Sequence, residues 1–396
     1  MKYNFDEHVE RRGTYSMKWD GGPLMKEFGM DLEFNDKTIP IFTADMDFAC
    51  PQPVIDALHK VVDQRIFGYT SEKCLPEYNN AVIRWFRDKH GWQIEPEQIL
   101  YVDGTVEGLR ICVQAFSKPG DGVLITRPVY GPFTSAVEGA GRKVVNSDLL
   151  EENGYYTMDF EDIAQKAKDP NVTMFTLCSP HNPTGRVWKK EELQKLAQIC
   201  LENDVILVSD EVHCDLIRQE NKHYPVAAVA DPKNIVMLTA INKTFNTAGL
   251  KCSNAVIADP DLRAKYKKAA GMKMPTPFTV AALVAAYNEG DEWLDQVNEY
   301  ITGNIDWVLG FMKEHMPKVK CRRPEGTYVL WMDFRDYGLS AQQIHDKIYK
   351  NANVILEGGS MFDPDKGDGF ERVCLSSPRP LIQEAFQRIA KEFEGL

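Results

Sequence analysis

From about Asp45 to Ala286 the chain alternates short apolar, β-rich runs with amphipathic stretches. The runs are QILYV ending at Val102, GVLITRPVY to Tyr130, VTMFTLCS to Ser179, VILVSDE to Glu211, and NIVMLTA from Asn234. Helical patterns separate them, among them VEGLRICVQAF and KKEELQKLAQICLEN. Apolar runs of about four to eight residues bounded by helices read as strands buried on both faces, joined in β-α-β units. Beyond Tyr287 the pattern changes. A long helical stretch, EWLDQVNEYITGNIDWVLGFMKEHM, leads to single strands near TYVLWMDF and ERVCLSS and a closing helix, LIQEAFQRIAKEFEGL. The expected organisation is α/β. Residues 45–286 form a large domain on a mostly parallel sheet, and residues 287–396 a smaller α+β domain against which an N-terminal segment, 1–44, packs.

A length of 396 residues allows two or three domains with a substantial core. Forty-six Lys and Arg against 58 Asp and Glu give a net charge of −12, which disfavours a protein whose whole surface attracts nucleic acid or anionic membrane. No apolar run approaches the roughly 18 residues of a spanning helix, and the start, MKYNFDEHVE, has no signal-peptide core. Nine cysteines, an odd number with no C-x-x-C pair, predict reduced thiols in a cytoplasm and exclude finger-type zinc sites. No metal is expected.

The unusual polar residues fall just past the C-terminal ends of the expected strands. They are the Gly104-Thr105 turn, Tyr130, Asn182, Asp210 and Lys243. An open parallel sheet binds ligands in that crevice, so all five can surround one ligand. Singly each has an ordinary reading. Asn182-Pro183-Thr184-Gly185 is a good turn, Asp210 a plausible helix cap, and Lys243 a solvated lysine by default. Together, in this order, they are a demanding constellation.

That constellation, with RRGTYSMKWD, TADMDFACPQPVIDAL, PVYGPF, SPHNPTGRVW, SDEVHCDLI, NKTFNTAGLK, EGTYVLWMDF and SSPR, resembles the fold-type I enzymes of pyridoxal 5′-phosphate (PLP). Within the class I/II aminotransferase group it is most similar to the MalY/PatB cystathionine β-lyases, or C–S lyases, over nearly the whole chain. The resemblance implies that Lys243 forms a Schiff base with PLP and later moves protons. It implies that Asp210 keeps the pyridine nitrogen protonated, that Asn182 reaches the phenolic oxygen and that Tyr130 stacks on the ring. Lys243, Asp210 and Tyr130 are thus the expected catalytic set. The phosphate would lie on the turn of Gly104, Thr105 and Val106 with Lys251 as cation. Tyr69 would reach a neighbouring site in a homodimer, and His213 would sit behind the ring. Arg379 in SSPR would clamp the substrate carboxylate.

Departures from the family pattern are Asn242 where Ser usually precedes the lysine, Asp363 after Phe362, and Cys374 where Asn usually follows Arg372 by two. The implied activity is cleavage of cystathionine, cysteine or related S-conjugates to a thiol, pyruvate and ammonia. Transamination, or a lyase with a second, regulatory partner, is the alternative.

Overall fold

The computed structural model describes residues 3–27, 32 and 34–396. Seven strands form the central sheet: β1 (Ile99–Val102), β2 (Gly122–Ile125), β3 (Lys143–Asn146), β4 (Val172–Cys178), β5 (Ile206–Asp210), β6 (Ile235–Ala240) and β7 (Ser253–Val256). Their order across the sheet is β1-β7-β6-β5-β4-β2-β3. Every pair is parallel except those of β7, which runs antiparallel to β1 and β6. The five expected strands are present. Strands β3 and β7 join them without a sequence signal of their own. KVVN lies at the sheet edge and is only half-buried, and SNAV has too few apolar residues to register as a run.

Register sets the site. Cys178 pairs with Asp210, Asp210 with Leu238, Ala240 with Ser253, and Ser253 with Val102. The ends of β4, β5, β6 and β1 therefore lie at nearly one level, and the residues that follow emerge along one edge.

Helix α1 (Gln52–Asp63) and helix α2 (Glu77–His90) pack against α4 (Pro277–Glu289), which carries the run FTVAALVAAY. That run is apolar nearly all round because α4 is buried among other helices. Helix α3 (Thr105–Phe116) follows β1 and lies across β5, β6 and β7. Helix α5 (Asp291–His315) leads to a four-stranded antiparallel sheet of β8 (Lys320–Cys321), β9 (Val329–Asp333), β10 (Glu357–Gly358) and β11 (Phe370–Cys374), in the order β8-β9-β11-β10. Helix α6 (Arg379–Phe393) closes the chain against α5. Ile39-Pro40 pairs in parallel with Val354-Ile355, tying the N-terminal segment to the C-terminal part of the chain. No helix among the described residues is long and apolar enough to cross a membrane.

Candidate active site

Asp210 ends β5 with its side chain buried. Burial pushes its pKa up to about 6, although the Val212 N–H, the Thr105 hydroxyl and the Lys243 charge all favour the carboxylate. Thr105 opens α3 directly after Gly104, whose φ of +150° suits glycine. The first N–H groups of that twelve-residue helix have no intrahelical partner, so the turn offers donors to an anion. Val106 lies half-buried in the same first turn. Lys251 is exposed just before β7, and its carbonyl accepts from Tyr101 of β1 at 3.1 Å.

Lys243 leaves β6 half-buried, and its Nζ donates to the carbonyl of Ala44. Burial lowers its pKa and the nearby Arg372 guanidinium adds to the effect, against the carboxylates of Asp45 and Asp210. A lysine so placed carries a larger neutral fraction than a solvated one, which a nucleophile requires. The Ala44 carbonyl also accepts from the Tyr328 hydroxyl at 2.8 Å. The Tyr328 ring in turn packs edge-on against His213, with ring centres 5.5 Å apart. Burial holds the His213 pKa well below its usual value, so the ring is neutral, and its Nδ1 has no partner among the described residues. Tyr130 is half-buried beside these groups, its pKa raised by burial and by the Asp210 charge and opposed by that of Arg372.

Buried acid–histidine pairs fix the lysine and aspartate from behind. Thr244, next to Lys243, donates to Asp215 at 2.8 Å, and the other oxygen of Asp215 pairs with Trp85 and His90. Glu211, next to Asp210, pairs with His223 and accepts from Ser209 and the Val226 N–H. The two imidazoles meet edge-on at 5.5 Å. Asn242 bridges the strand ends by accepting from the Cys252 N–H and donating to Ser253.

The arginine assignment changes. Arg379 is not brought to this edge. Its guanidinium donates to Asn304 and lies over Tyr300, and its N–H donates to the Tyr300 hydroxyl, so α5 holds it. Arg372, on β11, is fully buried and donates to the side-chain oxygen of Asn182 at 2.9 Å and to Glu357. Its Nε is buried without a partner among the described residues, a donor held ready for an acceptor. The signal was present in ERVCLSS, where a charged residue interrupts a buried strand.

An N-terminal network, not legible in the sequence, lies beside these groups. Asp47 accepts from Lys18 at 2.6 Å, Trp19 at 2.8 Å, Arg11 at 2.9 Å and Ser377 at 2.6 Å. Lys18 is completely buried. A basic and an aromatic residue in KWD, facing two acids in ADMDF, are the only sequence trace of this pairing.

A buried carboxylate, a lysine of lowered pKa, an unpartnered Nε on Arg372 and a free helix N-terminus are the parts a PLP site needs, and they converge here. The model of the class I and II aminotransferases matches residues 40–389. The chain is 41% identical to cystathionine β-lyase PatB of Bacillus subtilis over 98% of each chain. Among solved structures, cystalysin from Treponema denticola, which contains PLP, matches at 36% identity and a TM-score of 0.94, covering 100% of this chain and 99% of that one. The PLP-bound C–S lyase from Staphylococcus hominis in complex with L-cycloserine matches at 35% and 0.93, covering 99% and 98%. The chain belongs to the class I and II aminotransferase family, as a fold-type I enzyme whose cofactor is PLP. Within that family the relatives named here include a cystathionine β-lyase and a C–S lyase.

Proposed function

We propose that the protein is a PLP-dependent C–S β-lyase that cleaves cystathionine, cysteine or related S-conjugates to a thiol, pyruvate and ammonia, and that its site residues divide the work as follows. Lys243 holds the cofactor. The turn of Gly104, Thr105 and Val106, with Lys251, would hold its phosphate, Asn182, Tyr130 and His213 would contact its ring, and Asp210 would pair with its ring nitrogen. The bound cofactor supplies a sink for the electron pair left when a substrate Cα loses its proton.

The chain's residues do the rest. Arg372 takes the substrate α-carboxylate through its free Nε and a neighbouring N–H, a bidentate contact that fixes the Cα. Lys243 Nζ, free once the substrate amine has taken its place, removes the Cα proton, and its lowered pKa favours the unprotonated amine that does so. The C–S bond then breaks, the thiolate leaves with the bonding pair, and the remaining aminoacrylate hydrolyses to pyruvate and ammonia. The observation that carries this reading is the convergence of Lys243, Asp210 and Arg372 on one sheet edge.

Two copies complete the site in this reading. Tyr69 is fully exposed on the single chain, in a surface stretch that also exposes Ile66, Phe67 and Leu75. A hydroxyl carried there suits the phosphate of a second copy, so the working form is a homodimer, and its free cysteines suit a reducing cytoplasm. Sedimentation of the purified protein at twice the chain mass supports this, and a monomer that turns over at full rate overturns it.

Pyruvate release from cystathionine, assayed with and without an added keto acid, tests the activity. Release that needs no keto acid supports the lyase. Amino-group transfer without pyruvate makes the protein a transaminase.

A further inference from the structure

Beside the groups used by the chemistry lies a second pair of opposite charges that the mechanism leaves idle. Arg11 Nη2 donates to Asp45 Oδ2 at 2.6 Å. Asp45 directly follows Ala44, whose carbonyl holds Lys243, so the pair sits one residue from the lysine's hydrogen bond. The Asp45 carboxylate is close enough to act on the Lys243 amine. Both partners keep about a quarter of their surface open, 22% and 24%, whereas Asp47 behind them keeps 4%.

Arg11 is rigidly placed. Its Nη1 donates to Asp47 and to the carbonyl of Met46, and Asp47 is gripped in turn by Lys18, Trp19 and Ser377. A guanidinium has five N–H donors, and its contacts among the described residues use three, so two remain for a ligand. The loop carrying Asp45 is also pinned, by Asn246 donating to the carbonyls of Met46 and Phe48. Such pre-ordering removes much of the entropy cost of binding.

We propose, resting on the C–S lyase reading, that Arg11 and Asp45 form a subsite for the leaving half of the substrate and recognise a zwitterionic α-amino-acid end, as on cystathionine. The distal carboxylate binds Arg11 and the distal ammonium binds Asp45. Without ligand the two neutralise each other, so neither charge waits unpaired near the lysine. A zwitterion keeps that pair and adds one charged contact to each partner. A leaving group with only an anionic end engages Arg11 but brings no ammonium for Asp45, so it gains one charged contact fewer than a zwitterion. An uncharged S-alkyl group reacts without using the subsite.

The test compares cystathionine with S-methylcysteine, which lacks the distal end. In Arg11→Met and in Asp45→Asn, the ratio of kcat/KM for cystathionine to that for S-methylcysteine should fall at least tenfold. Effects of either change on Lys243 act on both substrates and cancel in the ratio. A ratio within twofold of wild type in both variants overturns the subsite and leaves the pair a brace for the loop.

Calorimetry on the cofactor-loaded protein gives a second readout. The carba-analogue 2,7-diaminooctanedioate should bind at least tenfold tighter than 2-aminohexanoate, and Arg11→Met should abolish that preference. Equal affinities in wild type overturn the proposal. If wild type releases no pyruvate from either substrate, the lyase reading fails, and the calorimetric preference alone decides the subsite.

Discussion

Replacing Asp210 by Asn in the cofactor-free protein should raise stability by an amount that grows from about pH 4 and is complete above about pH 6. Burial moves this carboxyl from 3.8 to about 6. Between those values the folded state holds a proton that the unfolded state has released. Wild-type stability therefore falls as pH rises through that window, relative to a side chain that does not titrate. About two pH units at 1.36 kcal/mol each give roughly 3 kcal/mol, fully expressed above pH 6 and absent below pH 4. The amide oxygen can still accept from the Val212 N–H, which lies 3.2 Å from Asp210 Oδ1, so the substitution strands no donor there.

An unfolding entropy of about 2.1 cal/mol/K per residue, over 396 residues, makes 3 kcal/mol worth about 3–4 °C in Tm. Calorimetry on wild type and Asp210→Asn from pH 4 to 8 reads the difference directly. Other buried acids, such as Glu371 with its pKa raised by burial to about 8, are common to both proteins and cancel. Adding PLP should stabilise wild type more than the variant, because only the carboxylate gains from a protonated ring nitrogen. A Tm difference that stays constant from pH 4 to 8, or that grows as pH falls, refutes the account of Asp210 as a desolvated, unpaired carboxylate.

Lys243→Ala should purify without covalently held cofactor and lose turnover, and reduction of the wild-type protein with borohydride followed by peptide mapping should label the peptide containing Lys243. Arg372→Lys should keep the bound cofactor's colour but lower kcat/KM ten- to over a hundredfold, for a loss of about 1.5–3 kcal/mol at the substrate carboxylate. In parallel steady-state kinetics Arg379→Lys should stay within about threefold of wild type, since its partners are Asn304 and Tyr300. Lys18→Met removes a buried partner of Asp47 and should cost about 3–5 kcal/mol in urea unfolding, less whatever Arg11, Trp19 and Ser377 compensate. An unchanged urea midpoint would mean that Asp47 is satisfied without it.

The buried strands were legible in the sequence because a strand covered on both faces must be apolar throughout, and QILYV, VTMFTLC and NIVMLTA are. Asn182, Asp210 and Lys243 were legible for a related reason: a parallel sheet puts the C-terminal ends of its strands on one edge, so polar residues after successive apolar runs converge. Strand β7 was not legible, since SNAV is held by pairing on both sides rather than by its own pattern. Which arginine meets the site was decided by tertiary structure alone. ERVCL and SSPR each present an arginine, but strand direction turns Arg372 towards Asn182, and the start of α6 turns Arg379 onto α5. The clamp on Asp47 lies furthest beyond the sequence. It joins Ser377 to a carboxylate 330 positions away, beside Lys18 and Arg11 from a segment with no strand or helix of its own there. Periodicity records what a residue needs from its immediate neighbours and from water, whereas a buried charge needs a partner that only the folded chain brings within 3 Å.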